Sequence, residues 1–171
     1  MFVGFLRKNK FASYSLTVFR LYLGFQWLIA GWGKISGAFD ARGFLEGAVN
    51  KATGEHPAVQ SWWATFLNGH AIPNVELFNV LVPWGEFFVG LGLILGAFTT
   101  FAALMGVVMN FSYMFSGTTS TNPQMILIGL FILVAGFNAA KVGLDRWIIP
   151  FIREKFLRNK NKKITGSGIT A

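Results

Sequence analysis

Charged and amide side chains interrupt four long apolar stretches of the 171-residue chain, and these are the residues that could do chemistry. Such groups are costly inside hydrocarbon and usually face protein or a water-filled cavity. Glu86 is the most informative, because it lies near the middle of an apolar stretch and cannot easily reach the headgroup region. An unpaired carboxyl there takes up a proton, whereas a basic partner keeps it ionised. Arg20 is the first candidate for that partner and Lys34 is the second.

These residue types suit proton-coupled chemistry. A protonatable carboxyl beside a tyrosine and an amide is what quinone chemistry requires, because reduction of a quinone takes up protons at its carbonyl oxygens. The candidate catalytic residues are Glu86, Tyr113 and Arg20, and either Arg20 or Lys34 would stabilise negative charge as it develops. The expected cofactor is a quinone, either menaquinone or ubiquinone. Its candidate binding residues are Arg20, Trp27, Lys34, Glu86, Asn110 and Asn138.

The same residues also have structural explanations. Arg20 and Lys34 lie near the ends of their apolar stretch, where long basic side chains can extend to lipid headgroups. Asn110 and Asn138 can join helices through interhelical hydrogen bonds. Tyr113 can belong to an interfacial aromatic belt. Glu86 fits a structural explanation least well, because of its depth.

The spacing of the polar residues places them on single helix faces. Steps of three and four residues join polar and small side chains into one stripe on each of three helices. Because small residues allow close helix approach, we expect these stripes to face one another inside a bundle. The stripes are Arg20, Gly24, Trp27, Gly31 and Lys34; Asn79, Pro83, Glu86, Gly90, Leu93 and Ala97; and Thr99, Ala103, Gly106, Asn110, Tyr113 and Gly117.

Four stretches can cross a bilayer core, which needs about twenty helical residues each. They cover residues 15–35, 77–98, 99–116 and 124–142. The loop 36–76 between the first two contains two segments of helical periodicity, Phe44–Ala52 and Val59–His70, which would lie at the outer interface. The sequence therefore predicts an all-α integral membrane protein. Its residues 1–150 form one four-helix transmembrane domain with a partly helical outer loop, and residues 151–171 form a basic cytoplasmic tail.

The net charge of +8 is concentrated at the two ends of the chain. Arg7, Lys8 and Lys10 precede the first span, and the tail from Phe151 carries a net +5, so the intervening residues are neutral overall. An even number of spans puts both termini on one side, and the distribution of basic residues favours the cytoplasm of a multi-pass cell-membrane protein. The basic termini would bind anionic lipid. A nucleic-acid partner is not expected, since such proteins carry their basic residues along a folded surface.

The chain contains no cysteine and only two histidines, His56 and His70. Disulfides, thiolate nucleophiles and cysteine-ligated iron–sulfur clusters are therefore excluded. Both histidines fall in the predicted outer loop, so they cannot provide paired axial ligands to a haem between the helices. No metal-ligand spacing is present, and we expect neither haem nor metal.

Three segments resemble the DoxX/DoxD family of small four-helix membrane proteins: RLYLGFQWLIAGWGKI, GEFFVGLGLILGAFTTFAAL and AGFNAAKVGLDRWI. The resemblance covers most of residues 16–148. It implies relationship to subunits of a thiosulfate:quinone oxidoreductase, a complex once described as a terminal quinol oxidase. The family pattern falls on Arg20, Gly31, Lys34, Glu86, Gly90, Asn138, Gly143 and Asp145.

Two functions follow from these observations. The first is a quinone-linked membrane redox protein that passes electrons from a small anionic sulfur compound such as thiosulfate to membrane quinone, with Lys34 and the outer loop attracting the anion. The alternative is a non-catalytic membrane subunit or scaffold that anchors a partner oxidoreductase or a stress-response protein. Either function is compatible with a homo-oligomer or a partner redox subunit. A small-molecule transporter is less favoured, because four short spans without paired broken helices form a poor pathway.

Overall fold

The computed structural model describes the backbone of residues 1–166 and the side chains of residues 1–156. Within that range the chain is helical and contains no β-strand. The predicted all-α fold is therefore confirmed. The last five residues of the predicted basic tail lie outside the described residues. The helices are α1 (Phe2–Lys8), α2 (Lys10–Ser36), α3 (Arg42–Asn50), α4 (Ser61–Phe66), α5 (Val75–Leu95), α6 (Thr99–Phe115), α7 (Asn122–Ala135), α8 (Phe137–Ala140) and α9 (Asp145–Gly166).

Four of these helices form an up-and-down bundle. α2, α5, α6 and α7 run alternately in opposite directions, and the packed pairs are α2 with α5, α5 with α6, and α6 with α7. We call the end that holds Asn9, the 96–98 turn and residues 138–145 the basic end. The opposite end, where residues 37–74 lie, is the loop end. The predicted stripes face inward as expected, and their central members Trp27, Glu86 and Asn110 are all buried.

The helices agree with the predicted stretches within a few residues, except at two places. The stretch 124–142 was expected to be one helix, and this is wrong: α7 ends at Ala135, Gly136 adopts a positive φ of 56°, and α8 follows.

Among the described residues, α5 alone is both long enough and apolar enough to cross a membrane. α6 and α7 are apolar but have only 17 and 14 residues.

The second difference is α1, which the sequence did not predict as a helix. Leu6 of α1 is buried against the bundle, and the Arg7 guanidinium donates a hydrogen bond from Nε to the carbonyl of Val134 (2.9 Å). Asn138 donates from Nδ2 to the carbonyls of Leu6 (2.8 Å) and Asn9 (3.0 Å). The Arg7 bond satisfies a carbonyl near the α7–α8 break, and the Asn138 bonds satisfy carbonyls at the junction of α1 and α2, so the N-terminal segment and the break stabilise one another.

The segment between α2 and α5 covers the loop end. α3, α4 and a π-helical turn at Leu67–Ala71 pack around a small core of their own, which includes Leu45, Ala48 and Val75. The Asn79 side chain of α5 accepts a hydrogen bond from the backbone N–H of Ala41 (2.8 Å) and so joins this segment to the bundle. The two helical segments predicted in the loop are therefore confirmed.

Candidate functional site

The Glu86 carboxylate is the centre of the candidate site. Glu86 lies midway along α5 and is only 2% exposed. The Lys34 ammonium of α2 donates to Glu86 Oε2 at 2.7 Å, and the Tyr113 hydroxyl of α6 donates to Glu86 Oε1 at 2.6 Å. Three helices therefore contribute one side chain each to a connected polar cluster, which we call the Lys34–Glu86–Tyr113 cluster.

Close packing of α2 on α5 brings Lys34 to Glu86. A Cβ added to Gly31 would collide with the backbone at Phe87 and Pro83, and one added to Gly90 would collide with the backbone at Leu28. The two helices therefore approach each other backbone to backbone, as small residues permit. Gly31 lies one helical turn from Lys34 and Gly90 lies one turn from Glu86, both toward the basic end, so this contact sets the separation across which the ion pair forms.

Arg20 does not pair with Glu86, contrary to the order of preference that the sequence suggested. It is buried at the basic end and donates from Nη2 to the carbonyl of Val142 at 2.6 Å. Its guanidinium lies against Gly96 and Gly143, where an added Cβ would overlap it. Helical spacing correctly placed Arg20 and Glu86 on inward faces, but the two residues lie at different depths in the bundle.

Asp145 holds the same end of the bundle together. Its carboxylate accepts hydrogen bonds from the backbone N–H groups of Phe98 and Thr99, both at 2.7 Å, at the start of α6. The backbone N–H of Asp145 donates in turn to the carbonyl of Gly96 (2.7 Å). A carboxylate at a helix N-terminus satisfies unpaired N–H groups and interacts favourably with the helix dipole. Arg20 and Asp145 therefore join α2, the α5–α6 turn and the start of α9.

Asn138 also lies at the basic end, away from Glu86. Both hydrogen bonds from its side-chain Nδ2 go to carbonyls of the N-terminal segment. Its backbone carbonyl accepts a hydrogen bond from the Ser13 hydroxyl (2.8 Å). Asn138 therefore lies at the same end of the bundle as Arg20, as its position in the sequence predicted, and its role in cofactor binding stays a prediction. Its side-chain N–H groups and its backbone carbonyl hold α1, α2 and α8 together.

Trp27 and Asn110 lie with the cluster. Both are buried, at 3% and 1% exposure, and both line a cavity that Lys34, Glu86 and Tyr113 also line. Gly106 leaves room for the Trp27 indole, because a Cβ there would lie 3.0 Å from Trp27 Nε1. Asn110 Oδ1 is buried and accepts no hydrogen bond from any described residue. Five of the predicted catalytic and cofactor-binding residues therefore line one cavity: Trp27, Lys34, Glu86, Asn110 and Tyr113. The other two, Arg20 and Asn138, do not line it.

The cavity is large and mainly apolar. It has a volume of about 1270 Å³ and extends along α5 and α6 from the loop end to the 96–98 turn. Lys34 and Glu86 are the only charged residues among those that line it in the described part of the chain. Over the rest of its length the walls are formed by residues such as Gly92, Met105 and Met109. The geometry therefore combines a small polar cluster with a long apolar groove.

Aromatic residues of the loop segment close the cavity at the loop end. The Phe44 ring meets the Tyr113 ring edge-on with centroids 6.0 Å apart, and Phe39 lies 5.8 Å from Lys34 Nζ. The Trp63 indole N–H donates to the Ser116 hydroxyl at 3.0 Å. The sequence placed the segments that contain Phe44 and Trp63 at the outer interface and did not predict their contacts with Tyr113 and Ser116. Helical periodicity within the loop was visible, but the face that turns toward Tyr113 depends on long-range packing.

The described residues contain no group of three or more His, Asp or Glu side chains that could hold a metal ion. Of the two histidines, His70 stacks on Phe66 in the loop segment, with ring centroids 5.7 Å apart.

Comparison with known proteins identifies the family. Residues 15–119 match the DoxX family, and this range contains Lys34, Glu86 and Tyr113 as well as Trp27 and Asn110. No curated protein and no solved structure matches the chain. The matched range covers more than half of the sequence and includes the whole Lys34–Glu86–Tyr113 cluster. The chain therefore belongs to the DoxX family, whose members are associated with membranes.

Proposed function

We propose that this protein spans the cell membrane with four helices, both termini in the cytoplasm, and that it binds quinone in the cavity beside Glu86 and exchanges electrons with it. The observation that carries the proposal is the Lys34–Glu86–Tyr113 cluster at one end of a long apolar groove. Quinones combine a polar ring with an apolar tail, and the cavity offers surfaces of both kinds.

The outer surface of the bundle supports the membrane arrangement. Large apolar side chains on all four long helices are exposed, and soluble monomers rarely expose apolar patches of such extent. Arg7, Lys8, Lys10 and the described basic residues of α9 all lie at the basic end, which favours a cytoplasmic location for it. The exposed residues include Phe25, Ile29 and Trp32 of α2, Val80, Trp84 and Phe88 of α5, Phe101, Leu104 and Val108 of α6, and Leu127 and Leu130 of α7.

The residues of the cavity fit a quinone headgroup. A bound quinone would supply a carrier that accepts two electrons and two protons. Tyr113 and Glu86 share a hydrogen-bonded proton, and Lys34 holds the carboxylate in place through the ion pair. Asn110 adds a buried amide, whose N–H groups would donate a hydrogen bond to a quinone carbonyl oxygen. Glu86 and Tyr113 would hold or deliver protons at the ring oxygens, and Trp27 and Asn110 would orient the ring.

The sequence predicted that Lys34 attracts the anionic electron donor, but the charge of Lys34 is paired in the structure. Lys34 is paired with Glu86, and the two charges offset one another, so an anion such as thiosulfate meets no free positive charge in the cavity. We propose that electrons from an anionic sulfur compound reach the quinone through a partner redox subunit that carries its own redox centre. The cavity itself then serves the membrane carrier and not the anion.

Quinone reduction in membranes tests the proposed function. Native membranes that contain the full chain and added menaquinone or ubiquinone should reduce the quinone when thiosulfate is supplied, followed by quinone absorbance. Glu86→Gln and Tyr113→Phe should each lower the rate by about 100-fold, the usual contribution of a positioned acid or base. Glu76→Gln, at the exposed start of the same helix, is the matched control and should leave the rate unchanged. Equal rates for all these proteins would contradict the proposal.

A second candidate function is a membrane scaffold that anchors a partner oxidoreductase or stress-response protein. The observation that favours it is the structural engagement of Arg20, Asn138 and Asp145, whose hydrogen bonds are made to this chain's own backbone. Purification from membranes separates the two functions. Retained quinone supports the first function, whereas stable co-purification of a soluble oxidoreductase without retained quinone supports the second.

A further inference from the structure

The lining of the cavity is polar in the half nearer the loop end. Between the Lys34–Glu86–Tyr113 cluster and that end, small polar side chains of α6, of the 116–121 link and of the first residue of α7 line the cavity. Two of them, Ser120 and Thr121, are exposed at the surface. A roomy space with polar walls holds water, so this half connects the cluster with water at the loop end. The polar lining residues are Ser112, Ser116, Thr118, Ser120, Thr121 and Asn122.

The half of the cavity nearer the basic end has an apolar lining. From Val89 to the 96–98 turn, the residues of α5 and α6 that line the cavity are apolar. Leu95, Phe98 and Phe101 among them are exposed on the outer surface of the bundle. In the proposed membrane arrangement this half therefore opens to hydrocarbon, whereas the other half opens to water.

Apolar packing separates the cluster from the polar groups of the basic end. Arg20 and Lys34 are on the same helix but about 21 Å apart at the helical rise of 1.5 Å per residue. Gln26 is the lining residue of α2 nearest the basic end, and Leu23 and Leu93 lie between it and Arg20. These two leucines are 2% and 1% exposed, and their side chains offer water no hydrogen-bonding partner. The route from Glu86 to water at the basic end is therefore closed by the core.

We propose that Glu86 exchanges its proton with water at the loop end, through the polar half of the cavity, and not with water at the basic end. This inference rests on the proposed quinone site and deepens it, because it assigns the side of the membrane from which protons reach the site. The apolar half then admits the carrier from the bilayer. In the proposed topology the loop end is external, so the protons are exchanged with the external medium.

Single cysteines show which half of the cavity contains water. Ser112→Cys and Met105→Cys place a thiol on the same helix, in the polar and the apolar half respectively, in a chain that has no other cysteine. A charged methanethiosulfonate reacts with the thiolate, which is disfavoured in apolar surroundings, so Ser112→Cys in native membranes should react at least about tenfold faster than Met105→Cys. Leu104→Cys, on the exposed side of α6, is the control for a lipid-facing thiol and should react as slowly as Met105→Cys. Equal rates for Ser112→Cys and Met105→Cys would overturn the inference.

An intramolecular cross-link tests the side of access at Glu86 itself. A carbodiimide takes up one oxygen of the Glu86 carboxylate and two protons of the Lys34 ammonium as it becomes a urea, and an amide then joins the two side chains, which are in contact at 2.7 Å. A quaternary ammonium carbodiimide does not cross the membrane, so it can be supplied to one face of right-side-out or inverted vesicles. Labelling of Glu55→Cys in the loop identifies the vesicles whose loop end meets the reagent.

We expect the Lys34–Glu86 amide only when the reagent meets the loop end, and none in the Glu86→Gln control. Mass spectrometry identifies it as a cross-linked peptide that has lost one water. Cross-linking from the basic end, or from neither side, would overturn the inference.

The result also separates this inference from the proposed function. Cross-linking from the loop end alone, without quinone reduction in membranes, supports the inference and contradicts the redox function. Quinone reduction by a protein whose Glu86 is reached from the basic end supports the redox function and overturns the inference.

Discussion

Glu86 is held from two sides, by a charged donor and by a neutral one. Lys34 is 28% exposed in its side chain, whereas Glu86 is almost completely buried, so the pair lies at the boundary between the bundle interior and its surface. Removal of one member of a buried pair leaves an uncompensated charge, which is more damaging than replacement of both. The arrangement therefore makes a prediction about coupling between the two residues.

Lys34→Met should lower the free energy of unfolding by about 3 kcal/mol, because it leaves the Glu86 carboxylate without its basic partner. The double variant Lys34→Met, Glu86→Gln should recover a large part of this loss, since neither charge then remains. Unfolding of the purified proteins in detergent, arranged as a double-mutant cycle, measures the coupling. If the two substitutions changed the free energy of unfolding additively, the 2.7 Å contact between Lys34 and Glu86 would contribute nothing to stability.

The candidate site could be predicted in part from residue spacing. Steps of three and four residues correctly predicted that Trp27, Lys34, Glu86, Asn110 and Tyr113 would face inward, and the five share one cavity. Spacing gives the face of a helix but not the partner across the bundle. Arg20 and Lys34 were both possible partners of Glu86, and spacing alone could not decide between them. Its actual hydrogen-bond partner is a backbone carbonyl near the chain's other end, which no residue type reveals.

At the scale of the helices, backbone contact between α2 and α5 positions Lys34 beside Glu86. Gly24, Gly31 and Gly90 have no space for a Cβ, and each is packed against the other helix. Overpacking in a close interface usually lowers stability by about 1–3 kcal/mol. Because Lys34 and Glu86 are on these two helices, separation of the helices would also weaken the ion pair.

Gly90→Ala should therefore lower the melting temperature and weaken ligand binding together. Gly33→Ala is the matched control, because Gly33 lies within α2 but a Cβ there meets no atom within 4 Å. It should be neutral or slightly stabilising, since alanine favours helix over glycine by about 1 kcal/mol. Thermal unfolding of both variants in the same detergent makes the comparison. Equal destabilisation by the two substitutions would exclude the α2–α5 contact as the cause.

The helices were predicted well where a long stretch shows apolar periodicity. They were predicted poorly where tertiary contacts determine whether a helix forms or ends. α2, α5 and α6 begin and end within about five residues of the expected stretches. The break at Gly136 and the short helix α1 depend on each other through Arg7 and Asn138. A seven-residue helix gains its stability from packing and not from its own sequence, so the sequence alone does not predict it.

For the whole molecule, the central question is how the bundle lies in the membrane. The N-terminal segment and the start of α9 lie at the basic end, and the loop segment lies at the other end. The distribution of basic residues favours a cytoplasmic basic end and an external loop. α6 and α7 are shorter than a typical span, so the exposed aromatic residues at their ends would lie at the interface.

The absence of cysteine makes this orientation easy to measure. Single variants Glu55→Cys in the loop and Glu154→Cys in α9 place one thiol at each end of the bundle, both at exposed positions. A membrane-impermeant maleimide should label Glu55→Cys in cells with an intact cell membrane, and Glu154→Cys only after permeabilisation. Reversed labelling, or labelling of both in intact cells, would contradict the proposed topology.

Photolabelling with a quinone analogue that carries a photoreactive headgroup tests most directly whether the Lys34–Glu86–Tyr113 cluster binds quinone. The full chain in native membranes is illuminated with the analogue, and the modified residues are identified by mass spectrometry. The account predicts modification of cavity residues close to the cluster, such as Trp27, Asn110 and Ser112, which excess unlabelled quinone and the Glu86→Gln substitution both suppress. Modification confined to exposed residues outside the cavity, such as Val80 and Leu104, and unaffected by either treatment, would contradict it.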